Sequence, residues 1–191
     1  MIESFFTGLI LIPVTHFRTF GIVNNMKKVV VVGVSASGKS TFSRELSKKT
    51  DLPTIFMDEI MWNPGWEYIG DEATVSALDK ESSKTEWIIE GYVTTNARTF
   101  LFERADTIIY LNYAPWIATC RYIKRWWNHR VQSRPELVGS PEKFSFKFLK
   151  LVWTKGEAIS LKRFLQDISD QSKIITLSSP KEAEEFLSRA L

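Results

Sequence analysis

The 191-residue chain has a single cysteine, Cys120, and only two histidines, His16 and His129. An intramolecular disulfide and a Cys-rich zinc site are therefore excluded, a structural metal is not expected, and the cytosol is the expected setting. Charge of one sign is also scarce: 25 Lys and Arg against 22 Asp and Glu leave a formal +3. A dedicated DNA-coating protein is more lopsided, so anion binding must come from a local cluster. Nor does the apolar run Phe5 to Val14 suffice to cross a bilayer. It has ten residues, interrupted by Pro13, where a spanning helix takes about 20. A signal peptide would place Lys or Arg ahead of it, and only Glu3 is charged there. No membrane partner is expected. What remains, 44% hydrophobic and 25% charged, is the composition of one globular domain. Residues 1–26 read as an extension and 27–191 as the domain. Met26, followed by Lys27-Lys28 and a strand, is a candidate for the true start.

Lys28 to Val32 (KVVVV) is an uninterrupted β-branched run, the pattern of a strand buried on both faces. Further short apolar runs at Thr54 to Met57, Trp87 to Ile89, Thr107 to Leu111 and Lys173 to Leu177 supply four more strands. Helices are expected over Lys39 to Thr50, Asp71 to about Thr85, Pro115 to about Arg134, as one further helical region from Glu142 to Leu165, and from Pro180 to Leu191. Asp58 to Gly70 reads as irregular. On the long helix, Trp116, Cys120, Ile123, Trp127 and Val131 form an apolar stripe expected to face the core. Strands alternating with helices predict a three-layer α/β domain with a mainly parallel five-stranded sheet.

The strongest local signal is Gly33-Val34-Ser35-Ala36-Ser37-Gly38-Lys39-Ser40, followed by Thr41, which fits G-x-x-x-x-G-K-[ST]. Glycines let the backbone turn its N–H groups around phosphate oxygens, and the helix that follows adds partial positive charge. Lys39 can reach the β- and γ-phosphates of ATP, and the Ser40 hydroxyl can ligate Mg²⁺. The pattern arises by chance in roughly one chain of this length per hundred. Its position between a buried strand and a helix makes a mere Gly-rich turn less probable still.

Two acidic positions follow apolar runs, where an open α/β sheet collects its ligands. Asp58-Glu59 follows TIFM, and Glu90 follows WII. As a Walker-B pair, Asp58 would hold Mg²⁺ and Glu59 would polarise a water. The spacing opposes this, because Asp58 lies 19 residues after Lys39 and its strand is the next one in sequence. In small kinases that strand end faces the acceptor, where an Asp can bond a hydroxyl and take its proton. Asp58 is thus read as acceptor-site carboxylate, base or metal contact. Glu90 is read as holding Mg²⁺ through water, against the plainer alternative of a surface ion pair.

From Tyr113 to Pro135 there is no Asp or Glu, yet Arg121, Lys124, Arg125, Arg130 and Arg134 all fall there. Arg121 and Arg125, four apart, share a helix face. Such arginines can close over a nucleotide and neutralise the transferring phosphoryl group. Two other readings stay open: a solvated basic face, and nucleic-acid binding with Trp126, Trp127 and His129 stacking on bases. Arg98 is a further candidate for gripping an acceptor. Trp62 and Trp66 either wall an acceptor pocket or cover the sheet edge.

Together VVVVGVSASGKST, FMDEIMWNPGW, WIIEGY, ERADTIIYL and the Arg-rich helix resemble the bacterial DNA topology modulation proteins (FlaR type), P-loop proteins similar to adenylate and shikimate kinases. The resemblance runs from about Lys28 to Leu191 and is carried most specifically by Asp58 to Trp66. It implies a kinase fold using ATP and Mg²⁺, a short arginine-bearing lid and an unassigned small-molecule acceptor. Its family label also implies a second possibility, a nucleotide-dependent DNA-associated regulator. The relatives carry Asp-Gly where this chain has Glu90-Gly91, so the longer side chain moves the carboxylate outward.

Overall fold

The computed structural model describes residues 26–91, 95–154 and 156–190. The apolar run, His16 and the remainder of the expected extension before Met26 lie outside them. Five parallel strands, β1 (Lys28–Gly33), β2 (Thr54–Phe56), β5 (Trp87–Glu90), β6 (Thr107–Leu111) and β7 (Ile174–Leu177), form one sheet in the order β2-β5-β1-β6-β7. The central strand β1 therefore has β5 on one side and β6 on the other. The chain leaves β1 for β2 on one side and leaves the neighbouring β6 for β7 on the other, which opens a crevice at their carboxyl ends.

Alternation along β1 divides the core. Val29 and Val31 pack with Phe42 and Leu46 of α1 (Lys39–Thr50) and Phe186 of α8 (Pro180–Arg189). Val30 and Val32 face the opposite layer. That layer holds Leu78 of α3 (Asp71–Ser82), Leu101 of α4 (Thr95–Arg104) and Leu161 of α7 (Gly156–Gln166). Each fully buried valine or leucine contributes about 1.5–3 kcal/mol relative to exposure, so the βVal run anchors both layers at once. Ser179 caps α8 by accepting from the Glu182 amide, while the Glu182 carboxylate accepts from the Ser178 amide, a reciprocal capping arrangement.

Four local expectations are corrected. Asp58 to Gly70 is not irregular: α2 (Met57–Met61) is followed by the antiparallel pair β3 (Trp62–Asn63) and β4 (Glu67–Tyr68). Helix α4 carries little amphipathic periodicity and has no counterpart in the sequence-based expectation. The region from Glu142 to Leu165 divides into α6 (Phe146–Trp153) and α7. The long helix, α5 (Pro115–His129), stops short of Arg134, and its rotation is opposite to that expected. Ala118 and Tyr122 are its buried residues, whereas Cys120 and the stripe members Trp116, Ile123, Trp127 and Val131 are exposed. The reason is tertiary. Tyr122 is claimed by α6, where its ring meets Phe148 at a tilt and its hydroxyl accepts from the Ser145 amide. Turning Tyr122 inward turns the apolar stripe outward.

Candidate functional site

At the carboxyl end of β1 the chain cannot carry a side chain. A Cβ on Gly33 would lie 2.8 Å from the Leu111 carbonyl oxygen of β6. The turn that follows places Ala36 (φ 62°) and Gly38 (φ 95°) in the left-handed region, and the Ser37 amide donates to the Val34 oxygen at 3.1 Å. Left-handed residues alternating with right-handed ones curl successive N–H groups into a concave anion-binding nest. Gly38 then caps α1, whose amino end lies at the same point.

Lys39 folds over this loop, its Nζ donating to the Gly33 and Val34 oxygens at 3.1 Å each. The Ser40 hydroxyl donates to Glu90 Oε1 at 3.0 Å. Glu90 is 3% exposed at the end of β5, and its Oε2 is buried without a hydrogen-bond partner. Burial pushes the Glu90 carboxyl above the usual carboxylate range; Lys39 pulls it back, Asp58 adds to the rise, and the Ser40 bond and Arg134 oppose it. A carboxylate with one oxygen bonded and the other orphaned beside a hydroxyl is a fitting donor set for a hydrated Mg²⁺. Among the described residues no cluster of three His, Cys, Asp or Glu could hold a metal.

Arg121 NH1 donates to the Ser37 oxygen and lies over the Tyr113 ring. It also stands where a Gly38 Cβ would be, at 2.7 Å. Arg125, expected beside it in the same role, is held elsewhere. Its Nε is 3.1 Å from Glu142 and its guanidinium lies over the Tyr122 and Phe148 rings. Burial lowers its pKa, opposed by Glu142. Glu142 Oε1 also meets Arg134 Nε at 2.8 Å, and Arg134 NH2 reaches Asp58 Oδ2 at 3.2 Å. A charge relay thus runs Arg125–Glu142–Arg134–Asp58, tying α5 and the segment after it to α2. Glu136 of that segment pairs in addition with Arg44 of α1.

The remaining candidates separate. Asp58 sits in the first turn of α2, half-exposed beside Arg134, so its strand-end placement holds to within two residues. Glu59 is exposed. Arg98 is buried on α4 over the Phe164 ring and borders a small cavity with Gly33, Gly91 and Glu157. That cavity lies at the ends of β1 and β5 and is closed on the α7 side by Leu161. Trp66 donates its Nε1–H to the Pro141 oxygen at 2.9 Å, and the Gly65 amide donates to Ser140 Oγ at 3.0 Å. The W-x-P-G-W hairpin is therefore clasped to residues 139–141 rather than left as a free pocket wall. Thr41 is exposed at the start of α1.

Two contributors carry little sequence signal. Glu157 of α7 accepts from the Ser35 amide at 2.8 Å and the Ser35 hydroxyl at 3.1 Å, bracing the phosphate loop from 122 positions away. Glu142 had one available clue: with Glu136 it is one of only two acids between Tyr113 and Gly156. An isolated acid in a basic stretch is a candidate internal counter-ion.

No protein-family model matches the chain, and no curated protein matches it in sequence. Solved structures do match in shape. A gluconokinase from Sinorhizobium meliloti superposes with TM-score 0.52 at 16% identity, covering 86% of this chain and 89% of that one. A shikimate kinase from Bacteroides thetaiotaomicron gives 0.55 at 16% identity over 86% and 96%. A sugar kinase from Janibacter gives 0.52 at 20% identity over 87% and 92%. At such identities the likeness speaks for architecture alone: the chain shares the fold of these kinases.

Proposed function

We propose that the protein is an ATP-dependent phosphotransferase that moves the γ-phosphoryl group to a small acceptor. The observation that carries this reading is the convergence at one strand end of the curled loop, the Lys39 ammonium, and the Ser40–Glu90 pair with its orphaned Oε2. Residues Gly33 to Thr41 cradle the triphosphate, and Lys39 leaves the Gly33 and Val34 carbonyls for the β- and γ-oxygens. Ser40 and Glu90 would hold magnesium, which would supply charge neutralisation on the triphosphate. Arg121 lies over the loop and stabilises charge on the transferring group. Asp58 orients or deprotonates the acceptor hydroxyl. Arg134 orients Asp58, and Arg125 supports Arg134 through Glu142. The kinases of similar shape act on gluconate, shikimate or sugars according to their names, which favours a small hydroxylated acceptor here.

An ATP-consumption screen against nucleosides, nucleotides, sugars and hydroxy acids tests the reading. Acceptor-dependent turnover is expected in the wild type and is lost in Lys39→Ala, whose melting temperature stays within a few degrees. Phosphoryl transfer unchanged by that substitution overturns the assignment. The resemblance to FlaR-type proteins belongs to this same reading. A DNA-associated regulator would instead bind duplex DNA in a salt-sensitive way without any acceptor, which filter binding at two salt concentrations distinguishes.

A further inference from the structure

Ten of the large apolar side chains left exposed among the described residues fall between Trp116 and Ile159. On α5 the outward residues Trp116, Ile123 and Trp127 lie roughly 200–240° around the helix from Arg121 at 3.6 residues per turn, so they face away from the phosphate loop. On α6, Val152 is buried against α5 with Phe148, while Phe146, Lys150 and Trp153 share the opposite face. The two surfaces are joined by a ladder of rings. Trp127 meets Trp126 at 6.0 Å, Trp126 meets Phe144 at 5.1 Å, and Phe144 meets Phe146 at 4.9 Å. Phe146 is 79% exposed, Val131 83% and Trp153 59%, and apolar side chains gathered together rather than scattered singly mark an interaction surface.

Charge says what covers it. Between Tyr113 and Gly156 the two acids, Glu136 and Glu142, are both buried in ion pairs. Among the described residues of the segment the exposed charges are therefore all positive: Lys124, Arg130, Lys143, Lys147 and Lys150. A second copy using the same face would set these cations against one another. Single-stranded nucleic acid needs open ring faces, yet Arg130 lies over the Trp127 ring at 3.9 Å, and Val131 and Leu151 offer nothing to stack on. An anionic bilayer accommodates all of it. Aromatic and aliphatic groups alike enter the acyl boundary, Trp favours the interface, and lysines meet headgroup phosphates.

We propose that the outer face of α5 and α6 docks the protein on an anionic lipid surface. This departs from the sequence-based expectation that no membrane is involved. It concerns the surface only: among the described residues no helix is long and apolar enough to cross a membrane. The phosphate-loop chemistry neither requires it nor is required by it.

Co-sedimentation of the full chain with vesicles tests it, comparing phosphatidylcholine alone with phosphatidylcholine containing about one third phosphatidylserine. Binding is expected to the mixed vesicles, weaker to phosphatidylcholine alone, and falling as salt rises. Phe146→Ser/Trp153→Ser and, separately, Lys147→Glu/Lys150→Glu are each expected to lower partitioning by about tenfold or more. Melting temperature is the control for folding, and none of these residues lies in the phosphate-loop site. Absence of sedimentation with either vesicle overturns the proposal, as does binding undiminished in both double variants. So does a single-stranded oligonucleotide, or a second copy, that engages the face while vesicles do not.

Discussion

Removing the Glu142 carboxylate is the most direct probe of how the arginine-bearing segment is held. Its Oε1 stands between Arg125 Nε at 3.1 Å and Arg134 Nε at 2.8 Å, with side-chain exposures of 4%, 23% and 11% for the three residues. Glu142→Ala leaves two guanidiniums together with no counter-ion except Asp58. Breaking a well-made buried pair costs about 3–5 kcal/mol. Here the contacts have ion-pair distance but lack hydrogen-bond alignment, and Arg125 is partly screened by solvent, which sets the expectation at about 2–3 kcal/mol. For a domain of this size that is a fall in melting temperature of about 4–12 °C by scanning calorimetry. A cycle combining Glu142→Ala with Arg134→Ala should show a coupling of about 1 kcal/mol or more. A fall under about 2 °C, or strict additivity, refutes the view that this carboxylate organises the segment.

The phosphate loop and its surroundings yield further tests. Gly38→Ala forces a Cβ into a left-handed residue and onto Arg121 NH1 at 2.7 Å; calorimetry should find ATP affinity reduced by at least about tenfold. Glu90 has a raised carboxyl pKa through burial, so the folded protein keeps that proton to higher pH than the unfolded chain does. Stability of the metal-free protein should therefore fall as pH rises from the ordinary carboxylate range through the raised value. Glu90→Gln should flatten that slope, and identical melting curves against pH for both proteins would contradict the assignment. Trp66→Phe removes the Nε1–H bond to the Pro141 oxygen; chemical denaturation should register a loss of about 1 kcal/mol, with proteolysis at the hairpin accelerated.

The loop was legible because its chemistry is local. Every element of it lies within Gly33 to Thr41, bounded by a strand whose burial on both faces is written as an unbroken valine run. The sheet was legible for the same reason, since β1, β2, β5, β6 and β7 each read as a short apolar run. Helix α4 was not, because its apolar residues follow no clean helical period and it is held by the layer it packs into. The division of α6 from α7 escaped for a similar reason. Both helices are amphipathic, and only where each meets its neighbours fixes the break.

Composition and spacing alone determined the class of fold, the curled loop after β1, and the two strand-end carboxylates, because these depend on neighbours a few residues away. Which face of α5 points inward, and hence that Arg121 meets the loop while Arg125 turns to Glu142, was decided by tertiary structure. So was the bracing of Ser35 by Glu157 across 122 positions. A helix carries an apolar stripe and a basic row at once, and nothing within it says which will be covered. The packing of Tyr122 against α6 settles that, and in settling it leaves the aromatic stripe facing outward.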